Sequence, residues 1–486
     1  MRIAIAYPPL RRHGKLPLLS QNRQFRYSSS SNVHIYPVVL ASAATLLKRA
    51  GHQVLWLDGI NERLSVAEFE RRLVAFAPDL TVIETKAPII RDHWRFIDDI
   101  GDRFGFAAAL VGDHVCVAPQ ESLAQSQVRY VIASGDCDLA LLGVVEHLDR
   151  GQALPLGVYH RQNGDIAGDG PAPLAEDLDQ LPLIDRDLTR WHIYGEAYLY
   201  RPCAYILSGR GCGGSADGPG RCRFCIWQHA LWRTTRRLRS PQSVVAEIKH
   251  LVERYGVREV FDDNESGAVW NGDWLEEFCY ELRSQGIAGK VALSCNARAD
   301  SLTPRSCRLM QESGFRLLKV GLESANPETL RYLNKDETID DIVRGVKTAK
   351  DHGLAVLMTT MTGYPWETEA DVRHTYEVTR ELMLYKTQFG DSLQSSVIVP
   401  YPGTPLYAEA MRRDWFCVDP QEWERFDMSQ PVLKADYDAM AWCDRMWSIH
   451  KHPLFVLKTL FRIRRPADIA LLWRGVQSLR GHNRDF

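Results

Sequence analysis

Short apolar runs alternate with amphipathic helical stretches in two successive series, and this alternation limits what the 486-residue chain can fold into. In the first 150 residues the apolar runs are Arg2–Tyr7, Gln53–Leu57, Leu80–Glu84, Ala107–Val111 and Tyr130–Ala133. Between them lie helical patterns such as Val38–Ala50, which stops at Gly51, and Val66–Phe76. Strands that alternate with helices fold as a parallel sheet, here a doubly wound (Rossmann-like) α/β unit over residues 1–150. Ligands on such sheets sit outside the C-terminal strand ends. Those ends carry Tyr7-Pro8-Pro9, Asp58-Gly59, Glu84-Thr85-Lys86, Gly112-Asp113-His114 and Ser134-Gly135-Asp136.

Residues 151–200 read as a hairpin and linker, with Asn163-Gly164 as the turn and a Pro-, Asp- and Leu-rich stretch over 171–186. A second series follows over residues 201–415: Ala204–Ser208, Glu259–Asp263, Val291–Cys295, Arg316–Gly321, Ala355–Thr360 and Gln394–Pro400. Ser240-Pro241 and Thr303-Pro304 supply helix starts, and Gly256 and Gly314 supply stops. Six strand–helix units fall short of a closed eight-unit barrel and predict a partial (β/α)6 TIM-type barrel. Polar residues stand just past its strand ends, at Asp262, Asp263, Asn296, Arg298, Glu323 and Thr362. That rim is the catalytic face of barrels.

Residues 416–486 are expected to be mostly helical. From Lys451 onward there are eight Lys and Arg against two acids, with Leu, Phe and Trp at helical spacing. The expectation is a packed helix pair with a solvated basic side, with a helix that contacts a membrane surface or a partner as the competing reading. The whole chain has 59 basic and 61 acidic residues, which argues against a bulk nucleic-acid binder. With neither a long uncharged apolar run nor a signal-peptide pattern, a cytoplasmic enzyme without a transmembrane segment is expected.

In such a compartment eleven cysteines point to metal or redox chemistry rather than disulfides. Only Cys212, Cys222 and Cys225 cluster, on a loop with four glycines and a proline directly after the first strand of the second series. Such a loop wraps closely around a bound group. Three thiolates leave one metal position open, a catalytic rather than a structural arrangement. The alternatives are a zinc loop completed by His229 or another Cys, and a reactive dithiol.

Arg210-Gly211-Cys212, followed by Cys222-Arg223-Phe224-Cys225-Ile226-Trp227, resembles the cluster loop of the radical S-adenosylmethionine (SAM) superfamily, although the first gap is longer than usual. The aromatic Phe224 belongs to that pattern. The resemblance implies that Cys212, Cys222 and Cys225 hold a 4Fe-4S cluster. It further implies that the cluster binds SAM and cleaves it to a 5′-deoxyadenosyl radical, within a six-unit partial barrel. Phe261–Glu265, Ser294–Arg298, Gly321–Ser324, Gly363–Glu367 and Pro400–Thr404 extend the likeness to the subgroup with an N-terminal cobalamin-binding domain. SAM presents an ammonium, a carboxylate and a ribose diol. Asp262, Asp263 or Glu265 are expected at the ammonium or ribose, and Asn296 and Arg298 at the carboxylate and hydroxyls. Glu323 is expected at the ribose or amine. Each also has an ordinary reading as a rim ion pair or helix cap.

No Asp-x-His-x-x-Gly occurs, so a bound cobalamin is expected to lack a histidine ligand, with His34, His93 and His114 as ordinary hydrogen-bonded histidines. The basic run Arg233, Arg236, Arg237 and Arg239 is expected to be a solvated loop, or else a phosphate contact. The resulting functional reading is cobalamin-dependent radical methylation of an unactivated carbon in a small-molecule or lipid-like substrate. The reductant would be of the flavodoxin or ferredoxin kind. Radical cyclisation, ring contraction or rearrangement is the alternative, and a non-catalytic cluster or corrinoid sensor the second.

Overall fold

The alternation resolves into two largely parallel sheets in the computed structural model, which describes residues 1–19, 25–29, 33–212, 222–232, 236–264 and 272–485. The first sheet contains β1 (Arg2–Tyr7), β2 (Gln53–Asp58), β3 (Leu80–Glu84), β4 (Ala108–Val111) and β5 (Tyr130–Ile132). The hairpin strands β6 (Val158–Gln162) and β7 (Asp165–Ala167) follow. The spatial order is β7-β6-β5-β4-β3-β1-β2, so the order reverses at β1. The first five strands are parallel, and the hairpin adds antiparallel to β5. Asn163 and Gly164 both take left-handed backbone angles, φ 54° and 93°, as a two-residue hairpin turn requires.

Alternate residues of β1 enter different cores, because side chains along a strand point to opposite faces. Ala4 and Ala6 pack with Phe69, Leu73 and Ile97 on one face. Ile3, Ile5 and Tyr7 face the other way, into a core that continues through Val260, Leu293 and Leu318 of the second sheet. The two sheets therefore share one apolar core.

The second sheet runs β8 (Cys203–Ile206), β9 (Glu259–Asp262), β10 (Ala292–Ala297), β11 (Phe315–Glu323), β12 (Ala355–Thr362) and β13 (Ser392–Val397), all parallel and in sequence order. The sheet does not close, as the six-unit partial barrel requires. Its helices begin where the caps are encoded. Ser240 accepts a hydrogen bond from the Ser243 N–H, and Thr303, Thr338 and Thr368 form reciprocal capping boxes.

A buried ionic cluster joins the units. Arg210, just after β8, donates to Asp136 at 2.9 Å and to Asp138 at 2.7 Å. Arg237 also binds Asp136, and Asp138 accepts from Ser42 Oγ at 2.8 Å. Arg239 pairs with Glu247, which is also held by Arg186. The expectation of a solvated basic loop is therefore overturned for Arg237 and Arg239. Arg237 reaches Asp136 on the first unit, and Arg239 turns onto Glu247 of the helix that follows, Pro241–Tyr255. Arg236 is exposed, and Arg233 lies outside the described residues.

Candidate active site

The C-terminal ends of the second sheet surround a cavity of about 350 Å³. Asp263, Asn296, Arg298, Glu323 and Thr360 line it from successive strands, and Cys212, Cys222, Phe224 and Cys225 line it from the loop after β8. Residues 213–221 of that loop lie outside the described residues. The Cys222–Cys225 turn is closed by the Cys225 N–H donating to the Cys222 carbonyl at 3.1 Å. It is pinned from both sides: the Arg223 N–H donates to Leu333 O and the Leu406 N–H to Arg223 O. A π-helical turn follows at Trp227–Leu231, an irregularity frequent at functional sites.

The three thiols share one environment. Burial pushes the Cys222 thiol up to about 12, Lys335 opposes the shift, and Cys225 and Cys212 add to it. Burial here thus disfavours the thiolate, which iron would stabilise. Among the described residues no three His, Cys, Asp or Glu side chains converge on one point to hold a single ion. Three cysteines lining one cavity are compatible with a cluster, in which each thiolate takes a separate iron. His229 Nε2 lies 3.1 Å from the Cys222 carbonyl oxygen, a contact that braces the cysteine turn.

Glu323 is held in an unusual pose. Its φ of 63° is left-handed, at a register shift between Gly321 and Glu323 against β12. Such conformations in non-glycine residues cluster at functional sites. A Cβ on Gly321 would lie 2.2 Å from Glu323 Oε1, so only glycine lets the carboxylate fold back over the strand. Lys335 Nζ stands 3.4 Å from both Glu323 and Glu337. Burial works against the Lys335 ammonium, but Glu337, Glu323 and Cys222 outweigh it and raise its pKa.

The other expected residues divide. Asn296 donates to Asp263 Oδ1 at 2.8 Å and to the Asn264 carbonyl, and both Asn296 and Asp263 line the cavity. Arg298 lines it too, but its guanidinium grips Asp300 and the carbonyls of Lys335 and Asp336. It therefore fixes the turn that carries Lys335. Asp262 is absent from the lining. It is buried, accepts the N–H groups of Ser208 and Asn264, and has its pKa raised by burial to about 6. Thr362 donates to the Ala439 carbonyl. Glu265 lies outside the described residues. Lys335 and Glu337 escaped the sequence reading, although the polar run Asn334-Lys335-Asp336-Glu337 carried a signal. Glu196, which also lines the cavity and accepts from Tyr198 and Tyr205, comes from the linker and carried none.

A second, smaller cleft of about 50 Å³ lies at the C-terminal ends of the first sheet. Val39, Leu40, Val111, Ile132, Cys116 and Cys137 line one side, and Trp227, Leu231 and Trp232 the other. Gln228, from the same turn, lines the large cavity, so one π-helical turn separates the two spaces. Glu84 and Asp113 also border the cleft. The largely apolar, aromatic remainder suits the face of a corrin ring, whereas the volume admits only a ring edge. Accommodation of a whole corrinoid requires the junction to open. No histidine lines the cleft among the described residues. His93 Nδ1 lies 2.8 Å from Thr85 Oγ1, and His114 Nε2 lies 3.0 Å from Glu121. Burial pushes His34 down to about 4.

Residues 210–379 match the sequence profile of the radical SAM superfamily. The chain is 24% identical over 408 residues to an uncharacterized methyltransferase of Pyrococcus horikoshii, covering 82% of this chain and 83% of the relative. It is also 24% identical over 414 residues to the anaerobic magnesium-protoporphyrin IX monomethyl ester cyclase of Rubrivivax gelatinosus, with 82% and 70% covered. Among solved structures, the radical SAM methyltransferase TsrM from Kitasatospora setae aligns with a TM-score of 0.67 at 17% identity, over 96% of this chain and 89% of that one. The cobalamin-dependent radical enzyme OxsB aligns with a TM-score of 0.67 at 11% identity, over 99% and 71%. At these identities the alignments establish the shared fold. With its cysteine loop at the rim of a partial barrel, the chain carries a radical SAM domain over residues 210–379 and shares the fold of TsrM and OxsB.

Proposed function

We propose that this enzyme methylates an unactivated carbon of a small, largely apolar molecule, using a 4Fe-4S cluster, SAM and cobalamin. The observation that carries the reading is the shared turn: Cys225 leads directly into residues that divide the rim cavity from the cleft on the first sheet. Cys212, Cys222 and Cys225 would hold the cluster. Asp263, Asn296 and Glu323 would face SAM, with Lys335 setting the position of the Glu323 carboxylate. Arg298 would act as a positioning residue for the Lys335 turn. The aromatic side of the cleft, Trp227 and Trp232, would carry the corrin. When bound, the cluster supplies the electron for SAM cleavage and the corrinoid supplies the methyl group. The protein's part is to hold these groups on opposite sides of one turn and to keep water from the rim.

Relatives with a methyl-transfer name support this reading, among them the bacteriochlorophyllide d C-12(1)-methyltransferase of Chlorobaculum tepidum and the hopanoid C-2 methylase of Rhodopseudomonas palustris. The cyclase relative supports a second reading, ring closure without methyl transfer. The deciding experiment is anaerobic turnover of reconstituted enzyme with an extract from a strain lacking it. A product heavier by one methyl group, with S-adenosylhomocysteine and 5′-deoxyadenosine, is expected. 5′-Deoxyadenosine with no mass gain would establish cyclisation or rearrangement instead.

A further inference from the structure

Seven of the fourteen large apolar side chains that stand exposed among the described residues fall within residues 454–473. They include Leu454, Leu457, Phe461, Ile469 and Trp473, with Phe461 70% and Trp473 58% exposed. The expected packed helix pair is therefore only half right. The helices Pro453–Leu460 and Pro466–Asp485 form, and Phe455 and Leu471 anchor them, but most of their bulky residues face outward.

The charges beside these residues have one sign. Lys451, Lys458, Arg462, Arg464 and Arg465 are exposed. Asp468, the only acid between residues 451 and 473, is buried beneath Tyr200 and the N–H groups of Arg464 and Arg465. Lys458 and Arg464 reach the carbonyls of Leu384 and Phe461, which leave their positive charge uncompensated.

We propose that this face docks on the surface of an anionic lipid bilayer. Bulky apolar residues interleaved with cations suit the boundary between acyl chains and phosphates. A second copy of the chain suits it poorly, because a twofold interface would set the same five cations against their equivalents. No helix among the described residues is long and apolar enough to span a membrane, so the contact is a surface one. The docked helices also wall the reaction cavity. Ser478 lines it, and Tyr200–Asp468 and Arg474–Leu199 bonds fix the last helix to the segment bearing Glu196 and Tyr198. Docking thus favours a membrane-soluble substrate; this consequence rests on the proposed methylation, whereas the docking does not.

The test is sedimentation of the full-length protein with phosphatidylcholine vesicles, alone or with about 30% phosphatidylglycerol. At least about tenfold more protein should bind the anionic vesicles, and high salt should release it. Arg464→Glu with Arg465→Glu, and separately Phe461→Glu with Trp473→Glu, should each lower binding about tenfold with Tm unchanged. Equal or absent binding to the two vesicle types, or variants without effect, would overturn the proposal. So would a lipid-free dimer on gel filtration that Phe461→Glu dissociates, which would assign the face to a second copy. Turnover of a soluble substrate is measured in parallel, so that failed docking and failed chemistry are read separately.

Discussion

The two sheets of this protein follow one local grammar and end in different spaces. Each alternates parallel strands with helices, yet the first is ordered with a reversal at β1 and the second in strict sequence. The reversal splits the helices between two faces, and the strand ends border a thin apolar cleft of about 50 Å³. The sequential order bends the second sheet into an open barrel whose strand ends ring a cavity of about 350 Å³ with both polar and apolar lining. The cysteines differ in position rather than in electrostatics: burial raises Cys222 as it raises Cys116 and Cys137, and a cation opposes each shift, Lys335, Lys86 and Arg210 respectively. Cys116 and Cys137 sit in the apolar cleft, where burial raises their pKa values. Cys212, Cys222 and Cys225 face the cavity with Lys335 as a nearby cation.

The sharpest break of this comparison is at the thiols. Cys222→Ala should reduce the iron of reconstituted protein from about four atoms per chain to almost none. Cys116→Ala and Cys137→Ala should leave it unchanged. Iron analysis with visible absorption checks both, and full iron in Cys222→Ala would remove that residue from the cluster.

The next largest effect is expected where the sheets meet. Arg210→Met strands Asp138 as a buried charge and should destabilise the protein by about 3–5 kcal/mol in urea unfolding. A loss below about 1 kcal/mol would mean that the shared apolar core, rather than the ion cluster, holds the units together.

A smaller change is expected at the rim. Glu323→Gln should weaken SAM binding about tenfold by calorimetry, because a charge-assisted contact becomes a neutral one. Iron content should stay constant. Unchanged affinity would return Glu323 to the role of ion partner for Lys335.

The smallest effect is a pH slope that separates the two units. Burial raises Glu367, beyond β12, from 4.5 to about 7, and Asp58, at the end of β2, from 3.8 to about 6. Within each window the unfolded chain loses a proton that the folded chain keeps. Stability therefore falls as pH rises, by at most about 1.4 kcal/mol per unit for each group, and levels off above the folded value. Between about pH 6 and 7 the buried His34 and His93, held down to about 4 and 3, give an opposing slope, because the unfolded chain binds protons that they do not. The unfolding free energy of the parent minus that of Glu367→Gln should therefore fall across that interval, by at most about 1.4 kcal/mol per pH unit, and a constant difference would remove Glu367 as a source of pH dependence.

Local signals made much of this architecture legible. Arg2–Tyr7 and Leu80–Glu84 were readable to the residue, as were the Asn163-Gly164 turn and the Ser240-Pro241 and Thr303-Pro304 helix starts. Each depends on a few adjacent residues, so sequence spacing carries it. The site was legible only in part. Asn296, Asp263 and Glu323 could be placed at the rim because they follow strands, but Asp262, one residue from Asp263, turns into the packed interior. A one-residue difference selects the opposite face of a strand, and the register shift at Glu323 alters that count locally. Arg237 and Arg239 read as a solvated run because their acids lie 101 and 8 residues away in the chain.

The sequence by itself determined the two α/β series, their caps and turns, and three cysteines in one glycine-rich loop. These follow from backbone periodicity and from the bonds of neighbouring residues. The tertiary structure alone decided which polar groups share the cavity, and that Glu196 and Lys335 join them from outside the expected set. It decided that one turn separates the cavity from the apolar cleft, and that the last helices keep an apolar, basic face uncovered. The physical reason is the same throughout. These relations depend on how sheets wind and pack against one another, and that distance is set by the shared core rather than by any stretch of adjacent residues.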